Sequence, residues 1–166
     1  MDQRIGALRS ARRAQAAYEA LDDIFVKLDG KVAEQKAKRR RVLPLDFVHE
    51  STGTIVEFDE MQHFTSFRRH SLELYPEGVS TGFDLDRYIV ICHDWSTRAD
   101  NYRAAKAATG FGPGGRQKQR AYFDDLRDLA VPAMGGPGVI RVACFDNDGR
   151  AAYAREREKL QKLMTV

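Results

Sequence analysis

The sequence predicts an α/β fold in which a mixed sheet is flanked by helices, and three observations carry that prediction. Two short runs, residues 43–48 and 55–59, alternate apolar and polar side chains and are separated by a turn, so they read as a hairpin. A long stretch with apolar residues three and four apart precedes them. A second helical stretch and then an apolar run, residues 139–145, come after. Helix, two strands, an irregular or helical insertion, helix, strand, helix is the order of a layered α/β sandwich. At 166 residues this is one domain, 1–166, with enough chain for a core.

The first element, within residues 1–35, is a helix whose stripe is Tyr18, Leu21, Phe25, Leu28 and Val32. Gly30 weakens its far end, and Glu19 lies beside the stripe. The N-terminus lacks the apolar core of a signal peptide, and the apolar runs fall far short of the roughly 20 residues of a membrane span. A soluble, cytoplasmic protein without membrane contact is expected. Net charge is +3 but uneven: residues 1–41 hold eleven Lys and Arg against six Asp and Glu. The excess concentrates at residues 36–41, including Arg39, Arg40 and Arg41, immediately before the first strand, where a phosphate backbone would have to pass.

The hairpin spans residues 42–64. Its turn, Glu50-Ser51-Thr52-Gly53, has glycine last. Pairing His49 with Thr54 sets Val48 opposite Ile55 and Asp46 opposite Glu57, with Asp59 further along the same face and Phe47, Val56 and Phe58 buried on the other. Opposed carboxylates roughly 5 Å apart repel unless something cationic sits between them. A hard divalent ion such as Mg²⁺, which takes one or two carboxylates plus water and phosphate oxygens, meets that need. Gln62 and His63 follow at the strand exit.

The insertion, residues 65–115, opens with a candidate further strand before the turn Pro76-Glu77-Gly78. Leu85, Tyr88, Ile89, Cys92 and Trp95 then follow helical spacing, extended by Ala99 and Tyr102. Cys92 and Cys144 form neither a disulfide framework nor a zinc spacing and read as core thiols. His93, without a partner in sequence, reads as structural. Gly110 to Gly115 matches G-x-G-x-x-G formally, but no strand precedes it and no acid follows at the required distance, so a dinucleotide site is excluded. It is a glycine loop opening a helix of residues 116–130 with Arg116, Lys118 and Arg120 near an N-terminus suited to phosphate. Lys118 and Arg120, two apart, do not share a face, whereas Arg116, Arg120 and Asp124 do. A strand beside the hairpin, a turn at residues 146–149 and a charged helix at 150–164 complete the chain.

An acid ending one strand, a short hairpin, and then E-x-D-x-x-Q-H-aromatic resembles the PD-(D/E)XK nuclease superfamily, in the branch similar to very-short-patch repair and phage homing endonucleases. Asp46 and Glu57 match its two acids. Asp124, Arg127 and the strand at residues 139–142 resemble that branch's D-x-x-R helix and final strand. Blocks 42–64 and 116–146 carry the likeness. Where the superfamily usually has lysine two residues after the second acid, this chain has Asp59.

The resemblance implies a restriction-endonuclease-like fold and a metal-dependent DNA endonuclease, a phosphodiester hydrolase. It implies Mg²⁺ (or Mn²⁺) on Asp46 and Glu57, with Asp59, Gln62 and His63 assisting and Glu19 a candidate acid from the preceding helix. Arg39, Arg40, Arg41, Arg116, Lys118 and Arg120 are the expected DNA contacts, with Lys118 or Arg120 standing in for the missing lysine. The alternative is a catalytically inactive nucleic-acid-binding or assembly protein on the same fold. No Ser/His or Cys/His pair is placed by any motif for other hydrolytic chemistry.

Overall fold

In the computed structural model, the described residues are 2–39 and 41–163, with side chains described from residue 11. The elements are α1 (Asp2–Lys27), α2 (Val32–Ala37), β1 (Phe47–His49), β2 (Thr54–Glu60), a 3-10 turn (Met61–His63), α3 (Ser66–Leu72), α4 (Leu85–Asn101), α5 (Arg116–Ala133), β3 (Ile140–Cys144) and α6 (Gly149–Leu163). They form a small three-stranded mixed sheet, in the order β1-β2-β3, flanked by helices.

β1 pairs antiparallel with β2 in the expected register, His49 opposite Thr54 and Val48 opposite Ile55. Gly53, at φ 67, supplies the left-handed position that closes the turn. β3 lies parallel to β2, Val56 opposite Ile140 and Glu57 opposite Arg141. α3, α4 and α5 provide the long crossover that parallel pairing requires.

α1 stops earlier than its apolar spacing suggests. Asp29 turns left-handed at φ 56, its N–H reaching the Val26 carbonyl and that of Gly30 the Phe25 carbonyl, which is a Schellman stop. A Cβ on Gly30 would fall 2.5 Å from the Phe25 ring. The buried stripe is Ala17, Ala20, Ile24, Phe25 and Leu28, while Tyr18 is exposed. Two alanines let α1 lie close on α5, and Phe25 packs edge-on to Phe111 and Tyr122.

The stretch after His63 is not a strand but α3. Thr65 caps it by accepting the Arg68 N–H at 3.0 Å, and Arg68, Ser71 and Leu72 are buried at helical spacing. α4 is the expected helix, capped by Asp84.

The two faces of the hairpin are covered in the opposite sense to the expectation. Glu57 and Asp59 are buried, at 4% and 0% exposure, whereas Phe47 is 64% and Phe58 36% exposed. α3, α4 and α5 bring cations and further acids onto the carboxylate face. The other face is covered by α6, through Ala152 and Leu160, only over Val56, Val142 and Cys144, so the end of β1 is left open. No helix among the described residues is long and apolar enough to cross a membrane.

Candidate functional site

A buried acid is tolerated only where cations and donors satisfy it, and the acids of β2 and α5 have them. Arg141, fully buried on β3, donates from one guanidinium nitrogen to both Asp59 oxygens at 3.0 Å, from Nε to Asp128 at 2.9 Å, and from the remaining nitrogen to the Asp124 carbonyl at 3.1 Å. Arg68, also fully buried, bridges Asp125 and Asp128 and donates to the Tyr75 hydroxyl. The Tyr88 hydroxyl donates to Asp59 and that of Tyr75 to Asp128. Burial pushes Asp125 up to about 7, despite Arg68 alongside.

His63 stands between this core and the solvent. Its Nδ1 lies 2.8 Å from Asp124 and 3.3 Å from Asp59. Burial alone would lower its pKa, but the two carboxylates outweigh burial and raise it. Asp124, which burial would push up, is instead held well below the usual carboxylate range by His63 and Arg141. Arg68, Arg141 and His63 thus face Asp59, Asp124, Asp125 and Asp128, with Arg127 reaching Asp124 from the cleft side.

In front of it opens a cleft of about 830 Å³ that collects Asp46, Glu57, Gln62, His63, Arg116 and Arg120. Asp46 lies just beyond β1 and is not a strand partner of Glu57. Its carboxylate turns into the sheet edge, where Oδ2 accepts the Phe58 N–H at 2.9 Å, while its own N–H approaches Glu57 Oε1 at 3.4 Å. Asp46 Oδ1 and Glu57 Oε2 keep no protein partner among the described residues. Burial raises the pKa of Glu57, opposed by Arg127, whose Nε lies 3.5 Å away, and by Arg141. Arg127 also binds the Pro44 carbonyl at 2.6 Å and Asp124 at 3.2 Å, tying the strand approach to α5.

Among the described residues the Arg116 guanidinium hydrogen-bonds only Gln119, and that of Arg120 only the Gln62 carbonyl at 3.0 Å. Neither has a salt bridge among the described residues. Burial and the charge of Arg116 lower the pKa of Arg120, as expected of two guanidiniums side by side. Gln62 donates to Glu60 at 2.6 Å.

Other expected residues stand elsewhere. Asp59 sits behind the cleft, held by Arg141 and Tyr88. Lys118 points away from it, onto Asp29 at the end of α1 and over the Phe67 ring. Arg39 and Arg41 are exposed and do not line the cleft, and Arg40 lies outside the described residues. Glu19 is on the exposed side of α1, bonded to Gln15. His93 is exposed beside Asp94 and not in the core. Cys92 and Cys144 are buried free thiols, and burial pushes Cys92 up to about 12, so it supplies no nucleophile.

Two groups have the chemistry to hold a cation. Asp46 and Glu57 each offer an unengaged carboxylate oxygen at the cleft. Asp59, His63 and Asp124 bring one ligand atom each within 4.8 Å of the others, but the oxygens of Asp59 and Asp124 and His63 Nδ1 are already engaged by each other, Arg141, Tyr88 and Arg127. Sequence reasoning missed Arg68, Arg127 and Arg141 as members of the site. An arginine inside the apolar run Ile140-Arg141-Val142, and acids at helical spacing in Asp124-Asp125-Leu126-Arg127-Asp128, were the signals available.

No curated protein and no solved structure matches the chain. A family model described as a family of unknown function, DUF7255, matches residues 23–164, a stretch that takes in the hairpin, α5 and β3, and the chain belongs to that family.

Proposed function

We propose that the cleft is a divalent-metal-dependent phosphodiesterase site acting on DNA, on a restriction-endonuclease-like arrangement of hairpin, helix and parallel strand. The observation that carries this reading is the pairing of two arginines lacking a carboxylate partner, Arg116 and Arg120, with two carboxylates that each keep an unengaged oxygen, Asp46 and Glu57, in one cleft.

The donor set fits a hard cation, since both free ligand atoms are carboxylate oxygens. A cation is also called for by the incoming phosphate: Asp46, Glu57, Glu60 and Asp124 line the cleft against Arg116, Arg120, Arg127 and His63, so the protein has no surplus of positive charge with which to meet a phosphate. Asp46 and Glu57 would hold Mg²⁺ or Mn²⁺, which when bound polarises a phosphate and lowers the pKa of a coordinated water. Arg116 and Arg120 bind the non-bridging phosphate oxygens, where charge grows as water attacks and the P–O bond breaks. His63, with Nδ1 fixed by Asp124, offers Nε2. Its raised pKa keeps a proton there for the departing oxygen. Asp59 orients His63 from behind. No lysine is needed on β2, because α5 supplies the cations.

Glu57→Gln tests the reading. Cleavage of DNA with Mg²⁺ should fall by at least about 100-fold, with DNA affinity equal or tighter because a negative charge near the phosphates is gone. An unchanged rate would overturn it. One feature favours the alternative of a non-catalytic nucleic-acid-binding protein: Arg127 already stands beside Glu57, where a cation would act. Wild-type protein that binds DNA but cuts none with Mg²⁺ or Mn²⁺ would decide for that alternative.

A further inference from the structure

Phe47 and Phe58 line the same cleft as Asp46 and Glu57, and they are the two exposed aromatic residues there, Phe47 the more so. Phe47 sits opposite Val56, with Phe58 two residues along the neighbouring strand, so the rings share one face of the hairpin. At 64% and 36% exposure they stand outside every buried cluster, and neither pairs with another ring among the described residues. Phe123, also in the cleft, differs, because the Lys38 ammonium lies over its ring at 5.1 Å. Leaving phenyl rings in water forgoes the stabilisation that burying them would give, so their uncovered position is not explained by folding.

Uncovered rings beside unpaired guanidiniums make a definite recognition surface. Arg116 and Arg120 track phosphates, and a flat apolar ring takes a flat base. Inside a duplex the base faces are already occupied by their neighbours, and only groove edges are offered to a protein. Base faces become available in single strands, flaps and loops, where aromatic stacking is the usual sequence-tolerant contact. Resting on the phosphodiesterase reading of this cleft, we propose that Phe47 and Phe58 stack an unpaired nucleobase next to the phosphate held by Arg116 and Arg120, so that the substrate class is single-stranded or locally unpaired DNA.

A thymidine oligonucleotide carrying one 2-aminopurine, whose fluorescence is quenched on stacking, tests this with the full chain. Binding is measured in Ca²⁺, with the probe checked on a gel to be uncut, against a duplex of the same length. The wild type should quench the probe and bind the single strand roughly tenfold or more tighter than the duplex. Phe47→Ala and Phe58→Ala should each weaken single-strand binding roughly 5- to 100-fold, abolish the quench and leave duplex binding unchanged, while Phe47→Trp restores both. Phe47→Leu, which keeps apolar bulk without a ring, should lose the quench and serves if the alanine variant melts early. Equal affinity for the two DNA forms, or alanine variants that bind and quench like the wild type, would overturn the stacking proposal alone. Failure of both DNA forms to bind would overturn the phosphodiesterase reading with it.

Discussion

Arg141 enters the core on a strand whose other members, Ile140, Val142, Ala143 and Cys144, are apolar and buried. Its guanidinium is the piece that lets Asp59, Asp124 and Asp128 share one dry space. Arg141→Met would leave those carboxylates short of a cation and should cost about 3–5 kcal/mol in urea unfolding, and Arg141→Lys should recover only part, since an ammonium cannot reproduce the planar fork. Two side chains of this core also set a pH dependence, with the same sign in different windows. Asp125 has a folded pKa raised from 3.8 to about 7, so its contribution falls as pH rises between those values. His63 has a raised pKa, so its contribution is complete below the ordinary value near 6.5 and is lost as pH rises through the raised one. Stability measured from pH 4 to 9 should therefore decline relative to Asp125→Asn in the lower window and relative to His63→Gln in the upper. A His63→Gln profile parallel to wild type above pH 6.5 would show that His63 does not carry the proton. Asp59 and His63 were legible in the sequence as site candidates, but Arg68 and Arg141, which hold the core together, were not, because burial of an arginine depends on which helix lands on it, and the local residues do not say.

At the scale of elements, α5 sorts its cations by helical phase. Arg116 and Arg120 face the cleft, and Lys118, between them, faces α1. Spacing alone made that division readable, although it did not say which side faced the sheet. Single alanine substitutions should shallow the slope of log affinity for single-stranded DNA against log salt by about 0.7 for Arg116 or Arg120, and leave it unchanged for Lys118. Equal slopes for all three would contradict the assignment. The start of α5 is fixed by Gly115, where a Cβ would lie 2.5 Å from the Phe111 carbonyl oxygen. Gly115→Ala should cost about 1–3 kcal/mol by forcing backbone apart, read as a lowered melting temperature. It should also weaken DNA binding, because Arg116 moves with the loop. Existence and order of the main elements could be read from periodicity, as could the hairpin register, which follows from a four-residue turn with glycine last. α3 could not, since two of its three buried members are Arg68 and Ser71, residue types that apolar patterning counts as surface.

Over the whole molecule, the hairpin is placed with its carboxylate face against helices and its aromatic end open. Apolar alternation predicted the reverse, because periodicity identifies two faces but not what covers each. Among the described residues the apolar side chains of α6 pack on Val56, Val142 and Cys144 and not on Phe47 or Phe58, which remain at the cleft, and the acids that a solvated face would display are gathered under α3, α4 and α5. The hairpin register from Phe47 to His49 was legible, while the place of Asp46, outside the ladder and turned into the sheet edge through its bond to the Phe58 N–H, was not. The central claim is that these two carboxylates and the α5 arginines together make a metal-dependent phosphodiesterase. It is tested most directly by cleavage of end-labelled single-stranded, nicked and duplex DNA across a Mg²⁺ and Mn²⁺ titration, with wild-type and Asp46→Ala protein side by side. Cleavage by the wild type that requires the metal, stops with chelator and is lost in Asp46→Ala is the predicted result; no cleavage of any substrate with either metal, or cleavage that Asp46→Ala leaves intact, would contradict it.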